Sequence, residues 1–208
     1  MPSELSYPQI VTKLGALDPI LLKVFKATHQ AVEPLPSVDI YANLLQSIVS
    51  QQLSTKVAEI IWQRFLDLFP DQYPNPQAVL DLEFAQLRGV GLSGSKSNYI
   101  QNVASFAMSN DMSIEKLGSM TDKEVIHYLT EIKGVGKWTV QMILMFPMDR
   151  PDVFPVDDLG IQTKMKHWYK LNSEKKQLKV EMEAIAQKWS PFKTVACKYL
   201  WASMIPKV

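Results

Sequence analysis

Cysteine is nearly missing from this chain of 208 residues: Cys197 stands alone, so neither an internal disulfide nor a four-cysteine iron–sulfur cluster can form. Histidine is scarce as well. His29, His127 and His167 lie far apart without ligand spacing, which argues against a structural or catalytic zinc site. Excess charge of either sign is lacking, with 22 Lys and Arg against 21 Asp and Glu and a formal charge of +1. No whole-molecule field draws the chain to nucleic acid, a membrane or an acidic partner, and any such site must be a local patch. No apolar run reaches membrane-spanning length. The start, MPSELSYPQIVTK, carries acid and proline where a signal peptide has a basic end and an apolar core, so no leader is expected. Low-complexity tracts are also absent.

Strand signals are almost absent too: nothing sustains a two-residue alternation between turn residues, whereas apolar positions at helical spacing recur throughout. With 47% hydrophobic residues the chain can pack a core, as one domain or two small lobes. The fold class expected is all-α. Tyr41 to Gln52 and Thr55 to Leu68 read as consecutive helices, with Ser54 as an N-cap, and Pro70, Pro74 and Pro76 form a break. Further on, SEKKQLKVEMEAIAQKW reads as a serine-capped helix, and SPFKTVACKYLWASMI as one with Ser190 and Pro191 in cap and first-turn positions.

Two stretches share one plan. FAQLRGVGLSGSKSNYIQNVASFA (Phe84 to Ala107) and VIHYLTEIKGVGKWTVQMILMF (Val125 to Phe146) each run from an apolar helix end through Gly-Val-Gly into a new apolar helix. Both are helix–hairpin–helix candidates, because a glycine past a helix can take the left-handed conformation that closes it. The turn leaves backbone N–H groups of the next helix unsatisfied. The second turn does not fit a nucleotide: one residue separates Gly134 from Gly136-Lys137 where a P-loop needs four, and Trp138 stands where it needs Ser or Thr. A dinucleotide fingerprint needs a third glycine at Thr139 and a preceding strand. A helix N-terminus suited to a single backbone phosphate remains, with Lys133 and Lys137 beside it. A connector with no ligand is the alternative for the turn taken alone.

LTEIKGVGKWTVQMIL followed by DVFPVDDLGI resembles the hairpin and catalytic region of the helix–hairpin–helix DNA glycosylases, most closely the 3-methyladenine DNA glycosylase II branch. IVSQQLS, LRGVGLSGSKSNYI and WSPFKTVACKYLW match that branch in order and spacing, so the likeness runs from about Tyr41 to Trp201. It implies a compact form without the extra N-terminal lobe of longer relatives: two lobes with DNA in the cleft between them. The lobe boundaries are expected near 36–125 for the central lobe, with 1–35 plus 126–208 as the second lobe carrying the hairpin. It also implies base flipping and monofunctional removal of alkylated purines of the 3-methyladenine and 7-methylguanine type from duplex DNA, in base excision repair.

By the same resemblance Asp158, three residues before the apolar Ile161, is the catalytic carboxylate, leaving Asp157 as a capping candidate. Trp138 stands where strand-cutting relatives carry an amine. Trp138, Trp201 and Met142 match base-pocket positions. Gly134, Val135, Gly136, Lys137 and Thr139 match the DNA-gripping hairpin. Gln52 and Leu53 are candidates for the wedge that fills the stack, Ser54 for a groove contact, and Lys96, with Lys56, for phosphate contacts. Core packing is the alternative for Leu53 and the tryptophans, and surface solvation for the lysines. Lys133, Val140 and Met142 differ from the usual proline, alanine and aromatic residue. No cofactor and no catalytic metal are implied, although hairpin carbonyls can hold a monovalent cation. A monomer is expected, cytoplasmic and nucleoid-associated in a prokaryote or nuclear in a eukaryote. A non-catalytic hairpin module for DNA binding or damage sensing is the rival reading.

Overall fold

The computed structural model describes residues 5–28 and 39–203. His29 and the boundary expected at 35/36 lie outside them. Among the described residues the regular structure is helical throughout, with no strand, and no helix is long and apolar enough to cross a membrane. The chain divides into two compact units, Ser37–Ile143 and the pair of segments Met1–Pro36 and Leu144–Val208.

The Ser37–Ile143 unit holds α3 (Ile40–Ser50), α4 (Thr55–Leu66), α5 (Pro76–Leu80), α6 (Phe84–Gly89), α7 (Gly94–Ser109), α8 (Ile114–Gly118), α9 (Asp122–Thr130) and most of α10 (Lys137–Met145). The helix α7 is its centre, packed by α3, α5 and α6. On α3 the apolar residues recur at helical spacing, burying Tyr41, Leu44, Leu45 and Ile48 on one face. The helix packs against α7, which buries Ile100, Val103 and Ala104, each large side chain contributing about 1.5–3 kcal/mol on burial. Asp39 starts α3 by accepting the Ala42 amide, and the Tyr41 hydroxyl donates to the Pro74 carbonyl, tying down the proline-rich break.

The other unit holds α1 (Tyr7–Leu17), α2 (Pro19–Lys26), α11 (Leu159–Tyr169), α12 (Lys175–Ala186), a short 3-10 turn (Gln187–Trp189) and α13 (Lys193–Ala202). Here α13 is central, against α1, α2 and α11. Buried Asp18 knots the unit together. One oxygen caps α2 by accepting the Ile20 and Leu21 amides, and the other accepts Tyr169 Oη at 2.8 Å and Trp189 Nε1 at 3.0 Å. Burial pushes the Asp18 carboxyl up, but the hydrogen bonds from Trp189, Leu21, Tyr169 and Ile20 together outweigh it and hold the group below the usual value. A depressed value stabilises the fold above the unfolded-state value, and that stabilisation is lost as pH falls through the folded one. Asp18→Asn turns an amide N–H toward the Trp189 N–H, and leaving a buried donor unsatisfied is expected to destabilise by roughly 2–4 kcal/mol. Chemical denaturation of both proteins across pH checks this: the difference should hold at neutral pH and shrink below about pH 4.

Four expectations need correction. The second unit boundary falls between Ile143 and Leu144, inside α10, and not at 125/126, so the hairpin sits with the central unit. The reason is anchoring on α7: Tyr99 packs against Gly134 and Asn102 donates to the Lys133 carbonyl. The helix expected to Gln52 ends at Ser50, because Gln52 takes a left-handed φ of 57°. Ser173 is no cap: α12 starts after Glu174, and Ser173 donates to Glu181. Ser190 and Pro191 precede the N-cap of α13, which is Phe192.

Candidate functional site

The glycine turns share a backbone plan, though in a register shifted from their Gly-Val-Gly repeats. Gly91 and Gly134 take φ values of 106° and 105°. Each is followed by a buried apolar residue, Leu92 or Val135, and then by the residue that opens the next helix. Ser93 opens α7, its carbonyl accepting the Ser97 amide, and Gly136 opens α10, its carbonyl accepting the Val140 amide. Ser93 also caps α7 with its own hydroxyl, which accepts the Lys96 amide. Gly136 has no side chain to do so. It is exposed, and a Cβ built there meets nothing within 4 Å. The second turn thus leaves Gly136 without a covering side chain at a positive helix end, flanked by exposed Lys133 and Lys137.

Trp138 follows in the first turn of α10 and is 39% exposed. It lines a depression of about 450 Å³ with Ser47, Ser50, Gln51, Gln52 and Leu53, so the tryptophan and both wedge candidates share one concavity. Leu53 is 37% exposed, and is not core. Ser54 is exposed at the N-cap of α4 without a side-chain bond, and Lys56 is exposed in its first turn. Met142 lies one turn beyond Trp138, half-buried. Thr139, expected at the DNA-gripping surface, is 2% exposed: its position on α10 turns the side chain inward. Lys96 also departs from expectation. Its ammonium donates to the carbonyls of Val49 at 2.8 Å and Gln51 at 2.7 Å, and burial holds it below the usual lysine value.

In the other unit, Asp158 is the N-cap of α11. Its Oδ1 accepts the Ile161 amide at 2.7 Å and Trp201 Nε1 at 2.8 Å. The division of labour expected between the two aspartates does not hold: Asp158 does the capping, while Asp157 forms an exposed ion pair with Lys179. Trp201, half-buried on α13, stacks on Phe146 with centroids 5.8 Å apart. Buried Lys198 lies 5.4 Å from the Phe146 centroid and pairs with Asp149 at 2.8 Å. The loop leading to Asp158 is strapped to the start of α13. Thr194 donates its amide to Pro151 and accepts the Val153 amide, and Asp152 accepts from Ser190 and Lys193.

Sequence reasoning missed Tyr99, Phe146 and Gly160. A Cβ on Gly160 would lie 3.0 Å from Asp158 Oδ1 and 3.1 Å from Trp201 Nε1, so the glycine in DDLGI makes room for the carboxylate–indole contact. That glycine, in the first turn of a helix where it is otherwise unfavourable, was the available signal. Leu159 beside it is 77% exposed. Among the described residues, no group of three or more His, Cys, Asp or Glu is placed to hold a metal ion.

A protein whose fold is all-helical, with a glycine hairpin opening one helix and an aspartate capping the next, defines a class, and comparison with known proteins names it. Residues 45–191 match the family model of the HhH-GPD superfamily of base excision DNA repair proteins. This chain belongs to that superfamily. It is 34% identical to DNA-3-methyladenine glycosylase 1 of Schizosaccharomyces pombe, over 77% of this chain and 71% of that protein. It is 32% identical to YfjP of Bacillus subtilis over 85% of this chain but spans only 63% of that relative's length. Among solved structures, S. pombe 3-methyladenine DNA glycosylase Mag1 in complex with abasic DNA superposes with a TM-score of 0.83 and 29% identity, covering 92% of this chain and 94% of that one.

Proposed function

We propose that this chain is a monofunctional DNA glycosylase that removes alkylated purines from duplex DNA in base excision repair. The observation carrying the reading is the setting of Asp158: a carboxylate oriented through one oxygen by a backbone amide and an indole N–H, at the N-terminus of a helix whose dipole favours its charge. Cleavage of a base–sugar bond passes through an oxocarbenium-like state, which such a fixed carboxylate stabilises electrostatically. A purine alkylated on a ring nitrogen is cationic and leaves neutral, so no acid need protonate it. Water then adds to the sugar, with Asp158 orienting it or accepting its proton. The relatives' names support the substrate class.

The backbone amide of Gly136 and the exposed Lys137 hold one phosphate, a contact that positions a strand without reading its sequence. Trp138 offers an aromatic face to a cationic base. Since its side chain is no amine, base removal stays separate from strand cutting. The carbonyls of Ile132 and Lys133, each with a second lone pair beside the hydrogen bond it accepts, are the groups that would hold a monovalent cation at the turn. It would stiffen the hairpin and supply no step of the reaction.

The test is incubation with methylated duplex DNA: release of free methylpurine without a borohydride-trapped covalent adduct is expected. Duplex binding with no release points instead to the non-catalytic module, and a trapped adduct to a strand-cutting enzyme. Gly160→Ala gives a finer check. Its methyl group crowds both Asp158 and Trp201, and small misplacements of a catalytic group are expensive. Single-turnover release is expected to fall about tenfold, with a change in stability below about 1 kcal/mol.

A further inference from the structure

We infer that Lys96 is a positioning residue for the wedge: the first glycine turn is an internal brace that aims this ammonium at the Gln51–Leu53 loop, and it is not a second grip on DNA. The inference rests on the proposed function, because it names what holds the segment that fills the stack. The loop follows directly from the C-terminal end of α3, where the last carbonyls lack helical partners and the dipole is negative. Lys96 reaches across from the first turn of α7 and takes two of those carbonyls, Val49 and Gln51, at 2.8 and 2.7 Å. The chain then reverses at Gln52, whose φ of 57° is uncommon for a side-chain-bearing residue. Leu53 closes the turn through its amide to the Ser50 carbonyl at 3.2 Å and remains 37% exposed beside the Trp138 depression.

Each part of the first turn serves this aim. Gly91 supplies the left-handed step, and a Cβ on it would lie 3.3 Å from Ile61 of α4. Ser93 caps α7 through the Lys96 amide itself, fixing the residue's backbone. Lysine suits the task because an ammonium carries three donors on a point charge and can serve two diverging carbonyls at once. Two bonds to a charged donor also offset the unfavourable turn at Gln52. A lysine so engaged has two of its three N–H groups committed to backbone carbonyls, which separates its role from that of exposed Lys137 on the hairpin.

The experiment uses a duplex with an abasic-site analogue beside 2-aminopurine, whose fluorescence reports filling of the gap without any bond being cut. Lys96→Met is expected to reduce the gap-filling signal and methylpurine release from paired duplex about tenfold, and Lys96→Arg to recover most of both. In a Leu53→Ala background, Lys96→Met should add almost nothing, because the two residues act through one element. The slope of log binding constant against log salt should stay at the wild-type value, whereas loss of a phosphate contact lowers it by about one. A wild-type signal in Lys96→Met, losses additive with Leu53→Ala, or a reduced salt slope would each overturn the inference. If Lys96→Met does not fold, Lys96→Arg against Lys96→Gln decides, equal losses overturning it. Wild-type protein that fills the gap yet releases no base would overturn the proposed activity alone.

Discussion

Asp158→Asn is expected to lower single-turnover release of methylpurine by about three orders of magnitude while leaving the fold intact. Asparagine is the informative replacement because Asp158 has two jobs. Its Oδ1 caps α11 through the Ile161 amide and accepts the Trp201 indole, and an asparagine carbonyl can make both bonds. Asparagine and aspartate are comparable N-caps, so denaturation should show a stability change below about 1 kcal/mol. What is lost is the negative charge that meets the developing cation. Alanine would remove charge and cap together, and its effect on rate could not be separated from fraying of α11. Undiminished release by Asp158→Asn would sink the assignment.

The second large effect concerns stability and sets two glycines of one motif against each other. Gly134 has a φ of 105°, and a Cβ there would lie 2.2 Å from Cγ and 2.7 Å from Cβ of Tyr99. The tyrosine cannot evade this by turning its ring, since its own Cβ is involved. Gly134→Ala therefore combines a disfavoured backbone with overpacking, and a loss of about 3 kcal/mol or more is expected. Gly136→Ala meets open space and should change stability by less than about 1 kcal/mol. Its methyl group instead stands where a phosphate would approach, so weaker duplex binding is expected. Thermal melts and binding isotherms on both variants check the contrast; equal melting temperatures would remove the steric argument for Gly134.

Much of this was legible in the sequence. Helical spacing, the glycine turn and the absence of strand signals were enough for an all-α fold with a hairpin, whereas the DDLGI stretch alone read as a helix cap and needed the resemblance of the neighbouring motifs to nominate Asp158. These features are local, written in residues within a turn or two of each other. What escaped depends on partners distant in the chain. Nothing around Lys96 announces that its ammonium meets carbonyls 45 and 47 positions away. Tyr99 reads as an ordinary aromatic on α7 until the hairpin is seen against it. Thr139, one position beyond Trp138, shows the limit on a finer scale: neighbours on a helix face different surroundings, one exposed and one buried. The chain's division inside α10 was equally hidden, because a continuous helix carries no linker signal.

On the proposed reading, little separates a receptor for a ligand from a piece of scaffolding in the paired turns. Both reverse the chain through a left-handed glycine and both open a helix, yet at the opening position one has serine and the other has no side chain at all. Where the hydroxyl is present, the helix end is answered from within and the motif becomes architecture. Where it is missing, the same geometry is left addressed to the outside, so on the reading proposed above the recognition surface would consist in part of a side chain left out.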